Sequence, residues 1–231
     1  MEELPAGSVD MVCCDMPYGT TNCRWDTKLD LARLWKQYRR VAKPNAAIIL
    51  FAQTPFDKVL GYSNLPWLRY ELIWEKTHPT GHLNAKKMPM KSHENILVFY
   101  SGLPTYNPIK TTGHVRKTAV KRFDGGPVYG KQLFEELPYD STDRYPRSIL
   151  TFPSDKQRSN LHPTQKPLAL VEWLVRTYSN TGDVVLDNCM GSGSTGVAAL
   201  KHGRRFIGME LDEHYFQVAK ERLESFDKEP K

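Results

Sequence analysis

Long apolar runs are missing from this chain. No stretch approaches the roughly 20 residues that a bilayer-spanning helix needs, so no membrane partner is expected. The opening Met1-Glu2-Glu3-Leu4-Pro5 has neither the basic start nor the apolar core of a signal peptide. Cysteine is scarce. Cys13, Cys14, Cys23 and Cys189 form no C-x-x-C pair and no Cys/His cluster with zinc spacing, so they are read as reduced, structural thiols. Internal repeats and low-complexity tracts are also lacking. These absences lead to the expectation of a soluble, intracellular protein.

What is present is ordinary globular composition, 40% hydrophobic and 25% charged over 231 residues, which suits one large domain or one domain carrying an insertion. The charge is uneven. The chain holds 32 Lys+Arg and 26 Asp+Glu. Of these, 15 basic and 7 acidic residues fall between Lys76 and Lys166, which leaves 17 and 19 for the remainder. A basic middle inside a near-neutral body favours a polyanionic partner, although a plain solvated surface is an equal reading of charge alone.

Strand and helix patterns alternate in the first third. Val9 to Cys14 reads as a buried parallel strand, Leu29 to about Ala42 as an amphipathic helix ended by Lys43-Pro44, and Ala46 to Ala52 as a second strand. A short helix (Phe56 to Tyr62) and strands at Trp67 to Trp74 and Asn95 to Tyr100 follow. Ser101 to Leu161 shows no period and is read as mostly loops, a length that inside a compact domain is usually functional. Helix and strand return with a helix from Pro167, a strand at Asp183 to Leu186, a helix at Thr195 to Lys201, a strand at Arg205 to Met209 and a last helix from Glu213. Such alternation predicts an α/β fold: a Rossmann-like, doubly wound, mainly parallel sheet with helices on both faces. The expected divisions are 1–101, an inserted region at 102–161, and 162–231.

The strongest local feature is Val184-Val185-Leu186-Asp187-Asn188-Cys189-Met190-Gly191-Ser192-Gly193-Ser194-Thr195-Gly196. An apolar strand ends in an acid, and a Gly-x-Gly-x-x-Gly turn then opens a helix. Arg205 to Glu210 gives a second strand followed by a carboxylate, the place where ribose hydroxyls bind in such folds. A nicotinamide cofactor is the rival reading, but Asp187 would confront its pyrophosphate with a fixed negative charge. An acid there suits a ligand carrying a positive centre, and adenosyl methionine carries an ammonium and a sulfonium.

Asp15-Met16-Pro17-Tyr18-Gly19 follows the first strand directly, which would place its carboxylate at the C-terminal edge of the sheet. An acid and a backbone carbonyl accept N–H bonds, and a tyrosine ring offers a stacking face. Together these could hold a planar, amino-bearing heterocycle.

The two motifs together resemble the amino-methylating DNA methyltransferases, which carry an Asp/Ser/Asn-Pro-Pro-Tyr motif and a Gly-x-Gly cofactor motif. The order found here, with the irregular basic segment between them, is similar to the beta class. His162-Pro163-Thr164-Gln165-Lys166-Pro167 resembles that family's third hallmark. The resemblance implies transfer of a methyl group from S-adenosyl-L-methionine to the exocyclic N6 of an adenine flipped out of double-stranded DNA. N4-cytosine methylation and a catalytically inactive DNA-binding homologue remain as alternatives.

By the same resemblance, Asp15 and the Met16 carbonyl would accept the target amino group, Pro17 would stiffen the turn and Tyr18 would stack on the base. Asp187, Cys189, Gly191, Ser192 and Gly193 would surround the methionine part of the cofactor. Glu210 would bind its ribose, and Thr164 and Lys166 its carboxylate. Lys86, Lys87, Arg116, Lys117, Lys121, Arg122, Arg144 and Arg147 would contact DNA, with 102–161 as target-recognition region. Its aromatics Tyr106, Phe123, Tyr129, Tyr139 and Tyr145 are read as core rather than base contacts. The mechanism needs no covalent intermediate and no metal. A homodimer in the cytoplasm of a prokaryotic or phage-infected cell, associated with DNA, is the implied setting.

Two departures stand out: Met16 replaces the family's first proline, and Asn188-Cys189 stands where Pro-Phe is common. Family members also usually carry a further upstream strand whose residues line the cofactor's adenine. Either the adenine pocket is built differently or the true start lies upstream, and weaker cofactor binding is the expectation.

Overall fold

The computed structural model describes residues 1–19, 29–119, 139–155 and 165–227. They form two compact units, Met1–Asn107 with Ser148–Lys231, and Pro108–Arg147. The larger unit is built on a seven-stranded sheet. Its strands are β1 (Val9–Cys14), β2 (Ala42–Ala52), β3 (Leu68–Thr80), β4 (Lys91–Phe99), β7 (Ile149–Phe152), β8 (Val184–Asp187) and β9 (Arg205–Gly208), in the order β7-β3-β4-β2-β1-β8-β9. Neighbours pair in parallel except at β4, which runs against both β2 and β3. The expected Rossmann-like, mainly parallel sheet is therefore what the chain forms, with one reversed strand.

β1 shows why the sheet has two covered faces. From Met11 onward its side chains alternate between opposite layers, as a strand's period of two requires, while Val9, across a register shift, joins the layer of Val12 and Cys14. Val9, Val12 and Cys14 pack with Leu34, Trp35, Tyr38 and Val41 of α1 (Leu31–Val41) and Leu60 of α2 (Phe56–Ser63). Met11 and Cys13 face the other side, where Leu170, Val171, Leu174 and Val175 of α3 (Leu168–Tyr178) and Ala198 and Ala199 of α4 (Ser194–Lys201) close the second core. The last helix, α5 (Glu213–Asp227), packs on α4. Helices thus cover both faces.

Differences from the sequence reading have backbone reasons. β2 begins at Ala42, and its pairing jumps from Val9↔Ala42 to Met11↔Ala47. The extra residues include Pro44, which cannot donate to a ladder and whose carbonyl instead accepts from Gly102 N–H and Ser101 Oγ, each at 3.1 Å. β3 runs past Trp74 to Thr80 because its polar end still pairs with β4, as far as Thr80↔Lys91. β7, within the stretch read as irregular, joins the main sheet beside β3.

In the smaller unit, β5 (Lys117–Ala119) pairs antiparallel with β6 (Tyr139–Ser141), and Thr111 bridges Arg144.

Candidate active site

β1 and β8 are neighbours in register, Met11 beside Val185 and Val12 beside Leu186. Both strands run the same way, so the Asp15 turn and the glycine turn leave the sheet at one edge. Asp15, Met16, Pro17 and Tyr18 line the same cavity as Asp187, Cys189, Gly191, Ser192 and Glu210, a space of about 1310 Å³. This is the crevice beyond strand ends where open α/β sheets bind ligands.

At one side of the cavity, Asp15 is fixed through both oxygens. Tyr18 Oη donates to Oδ1 at 2.7 Å, and the Lys166 ammonium pairs with Oδ2. The Tyr18 ring stacks on Phe56, with centroids 5.3 Å apart. Met16 is buried among the apolar residues under α1, which holds this turn without the usual first proline. Lys166 also faces Glu94 Oε2 at 3.4 Å, and Glu94 Oε1 takes the Lys76 ammonium at 2.6 Å. Burial opposes charge on Lys166, yet the Asp15 and Glu94 carboxylates outweigh it and raise its pKa. Burial likewise works to raise the Glu94 carboxyl, but the Lys166 and Lys76 ammoniums hold it below its usual value.

At the other side, the glycine turn is bound from several directions. Met190 N–H donates to Met209 O, Met209 N–H to Asp187 O and Gly193 N–H to Met190 O, at 2.8–2.9 Å. Gly191 and Gly193 have φ of +51° and +78°, a region that L side chains rarely adopt. Gly196 serves packing instead: a Cβ there would lie 2.6 Å from Leu223 and 2.7 Å from Phe206. Tyr38 Oη donates to Asn188 Oδ1 at 2.6 Å, and Arg222 donates to Ser192 O at 2.9 Å, so α1 and α5 both pin the turn.

Asp187 is 3% exposed. Burial pushes its carboxyl up from 3.8 to about 6, against the pull of the Thr195 hydroxyl and the Cys189 N–H. Glu210 accepts three backbone N–H bonds, from Gly191, Leu211 and Asp212, at 2.8–3.0 Å. A carboxylate has about four lone-pair positions, so one remains for a hydroxyl.

The sequence-selected residues distribute as follows. Asp15, Met16, Pro17, Tyr18, Asp187, Cys189, Gly191, Ser192, Glu210 and Lys166 share the cavity, and Gly193 caps α4 beside it. Lys166 lies with Asp15 and Glu94, and its neighbour Gln165 accepts from Ser192 Oγ at 3.5 Å. Lys86 and Lys87 are exposed in the turn between β3 and β4. Arg116 binds Asp140 through two bonds at 2.6 and 2.5 Å, and Arg144 donates to the carbonyls of Ser141, Asp143 and Val115. Those two arginines therefore shape the small unit itself. Lys117 and Arg147 are exposed. Thr164, Lys121 and Arg122 lie outside the described residues, as do Cys23, Phe123 and Tyr129. Tyr106 and Tyr145 are exposed rather than core; Tyr145 carries Lys110 over its ring at 4.5 Å.

Sequence reasoning missed Glu94, Lys76, Arg222, Asn188 and Tyr38. Glu94 carries a signal in hindsight, an acid just before an apolar strand. The others sit in ordinary amphipathic or polar patterns. Among the first residues, Met1, Glu2 and Glu3 line the cavity, and Arg40 holds the Met1 and Leu4 carbonyls at 2.7 and 2.5 Å.

A carboxylate-and-tyrosine turn facing a glycine turn with a distal acid, at one edge of a doubly wound sheet, defines a group-transfer enzyme built around a nucleoside-bearing donor. A family model described as DNA methylase, of the N6/N4 methyltransferase type, matches residues 9–221, and the chain belongs to that family. It is 27% identical to the type II methyltransferase M.HpaI of Haemophilus parainfluenzae, over 97% of this chain and 71% of that protein. It is 26% identical to the DNA adenine methyltransferase YhdJ of Escherichia coli K12, over 97% of this chain and 79% of that one. Among solved structures, M1.HpyAVI bound to SAM matches with a TM-score of 0.66 at 25% identity, covering 96% of this chain and 90% of that one. The cytosine-N4-specific PvuII DNA methyltransferase matches with a TM-score of 0.68 at 13% identity, covering 97% and 86%, a likeness of fold.

The protein is thus a DNA methyltransferase that uses S-adenosyl-L-methionine. The residues present fit that donor. Asp187 is a buried carboxylate whose charge a cation would relieve, and Glu210 is oriented with acceptor capacity to spare.

Proposed function

We propose that this chain methylates the exocyclic N6 of adenine in duplex DNA. The observation that carries the reading is the shared cavity at the β1/β8 edge, with Asp15 held between the Tyr18 hydroxyl and the Lys166 ammonium. An acid at the first position of this motif is typical of adenine enzymes, and serine of cytosine enzymes. YhdJ, named a DNA adenine methyltransferase, supports the same choice.

In this reading Asp187 faces the positive part of the donor, Glu210 takes a ribose hydroxyl, and Cys189, Gly191, Ser192 and Gly193 form the wall between them. The bound donor supplies an electrophilic methyl group with a neutral thioether as leaving group. The protein's work is alignment and electrostatics. Asp15 and the Met16 carbonyl accept the two amino N–H bonds of the target, which turns the nitrogen lone pair toward the methyl group. Asp15 then favours the positive charge that develops on nitrogen, and that charge is lost when one amino proton leaves to the Asp15 carboxylate or to solvent. Tyr18 stacks on the base and recovers part of the few kcal/mol lost in unstacking it. Lys86, Lys87, Lys117 and Arg147 are free of the internal roles found for Arg116 and Arg144, which makes them the better phosphate contacts.

Digesting DNA methylated by the purified protein to nucleosides tests the assignment. N6-methyl-2′-deoxyadenosine is expected, and N4-methyl-2′-deoxycytidine as the sole product would overturn it.

A further inference from the structure

Glu94 lies near the start of β4, the strand that runs against its neighbours. That reversal brings the beginning of β4 to the edge where the parallel strands end, with Glu94 beside Trp74 in the register. Four charges then alternate along a line: Lys76 on Glu94 at 2.6 Å, Glu94 facing Lys166 at 3.4 Å, and Lys166 on Asp15. Their side chains are 10%, 12%, 9% and 22% exposed, so each charge depends on the next for its stability. Asp15 has both oxygens engaged before any substrate arrives, Oδ1 by Tyr18 and Oδ2 by Lys166. An amino group that binds Asp15 must take one of its remaining lone-pair positions and share the carboxylate with the Lys166 ammonium. As Asp15 shares its negative charge with the amino group, Lys166 depends more on its second anion, and Glu94 already faces it at 3.4 Å. A lysine paired with Asp15 alone would instead compete with the target for it.

We propose that Glu94 is a positioning residue for methyl transfer, acting through Lys166 on Asp15. The proposal rests on Asp15 being the acid that receives the target amino group. Glu94 shares the Lys166 ammonium, fixes the plane of the Asp15 carboxylate and retains the cation when the base binds. Lys76 keeps Glu94 ionised and in place.

The test is a double-mutant cycle on single-turnover methyl transfer, with cofactor and duplex DNA saturating. Glu94→Gln is expected to slow transfer roughly 10- to 100-fold, while calorimetry finds the adenosyl methionine Kd changed by less than about threefold. In a Lys166→Met background, adding Glu94→Gln should alter the rate by less than about threefold, because the route through Lys166 is already broken. A Glu94→Gln rate within about threefold of wild type, a loss confined to cofactor Kd, or two effects that multiply would each overturn the proposal. If Glu94→Gln alone does not fold, Lys76→Met with Glu94→Gln removes the buried pair together, and the cycle with Lys166→Met is run from there. Asp15→Ala separates the two levels of failure. Full activity of that variant removes the underlying reading, whereas an inactive Asp15→Ala alongside multiplying effects removes only the role of Glu94.

Discussion

Replacing Asp187 by asparagine separates what the site needs from what the fold tolerates. In the free protein this carboxyl is fully enclosed, and burial raises its pKa from 3.8 to about 6. The folded state therefore holds the proton more tightly than the unfolded chain. Between about pH 4 and 6 the folded protein binds more protons, so stability falls as pH rises through that window. The difference amounts to about 3 kcal/mol at neutral pH. It is a ceiling for the substitution: an asparagine oxygen can still accept from Cys189 N–H, which donates to Asp187 Oδ1 at 3.1 Å, but the amide NH2 must find acceptors of its own in the same enclosed space.

Asp187→Asn is thus expected to stabilise the free protein by about 1–2 kcal/mol near neutral pH, a Tm rise of about 2–8 °C. Near pH 4, where the native acid is protonated, the gain should vanish. The same change removes the counter-charge of a cationic ligand, and adenosyl methionine affinity should fall by about tenfold or more. In the wild type, that affinity should weaken on acidification below about pH 6, as the carboxylate is neutralised. Thermal melts at both pH values and isothermal titration at neutral pH check both halves. A variant melting at or below the wild type near neutral pH, with unchanged cofactor affinity, would refute the reasoning.

Gly193→Ala places a side chain at φ +78° and 3.2 Å from the Ala219 Cβ. A loss of about 1–2 kcal/mol in stability is expected, with weaker cofactor binding, measured by melts and titration. Tyr18→Phe keeps the ring but loses the bond to Asp15, so single-turnover transfer should fall by about tenfold; Tyr18→Ala should fall further, by the stacking lost. Lys86→Ala with Lys87→Ala should reduce the slope of log affinity for DNA against log salt by about 2 and leave cofactor titration unchanged.

Much of the fold was legible because its signals are local. The short apolar run Val9 to Cys14, the mark of a strand covered on both faces, and the 3.6-residue period of the stripe Leu34, Trp35, Tyr38, Val41 both survive in the structure. The glycine turn was legible because tight reversal, close approach and helix packing each demand glycine at a set spacing. The direction of β4 was not legible, since Asn95 to Tyr100 reads the same in a parallel or an antiparallel strand. Glu94 was missed for that reason: its place at the site follows from the reversal of β4. The polar end of β3 was missed because backbone pairing, unlike burial, leaves no mark on side-chain type. Lys166 was found by its motif, yet its partners on β4 and after β1 are set by tertiary packing alone.

The shared cleft of the Asp15 turn and the glycine turn is tested most directly by Asp15→Ala, with labelled methyl transfer to duplex DNA and cofactor titration performed on the same preparation. The expected result is a variant that binds adenosyl methionine with near wild-type affinity and leaves the DNA unlabelled. DNA labelled as fast as by the wild type would contradict the account.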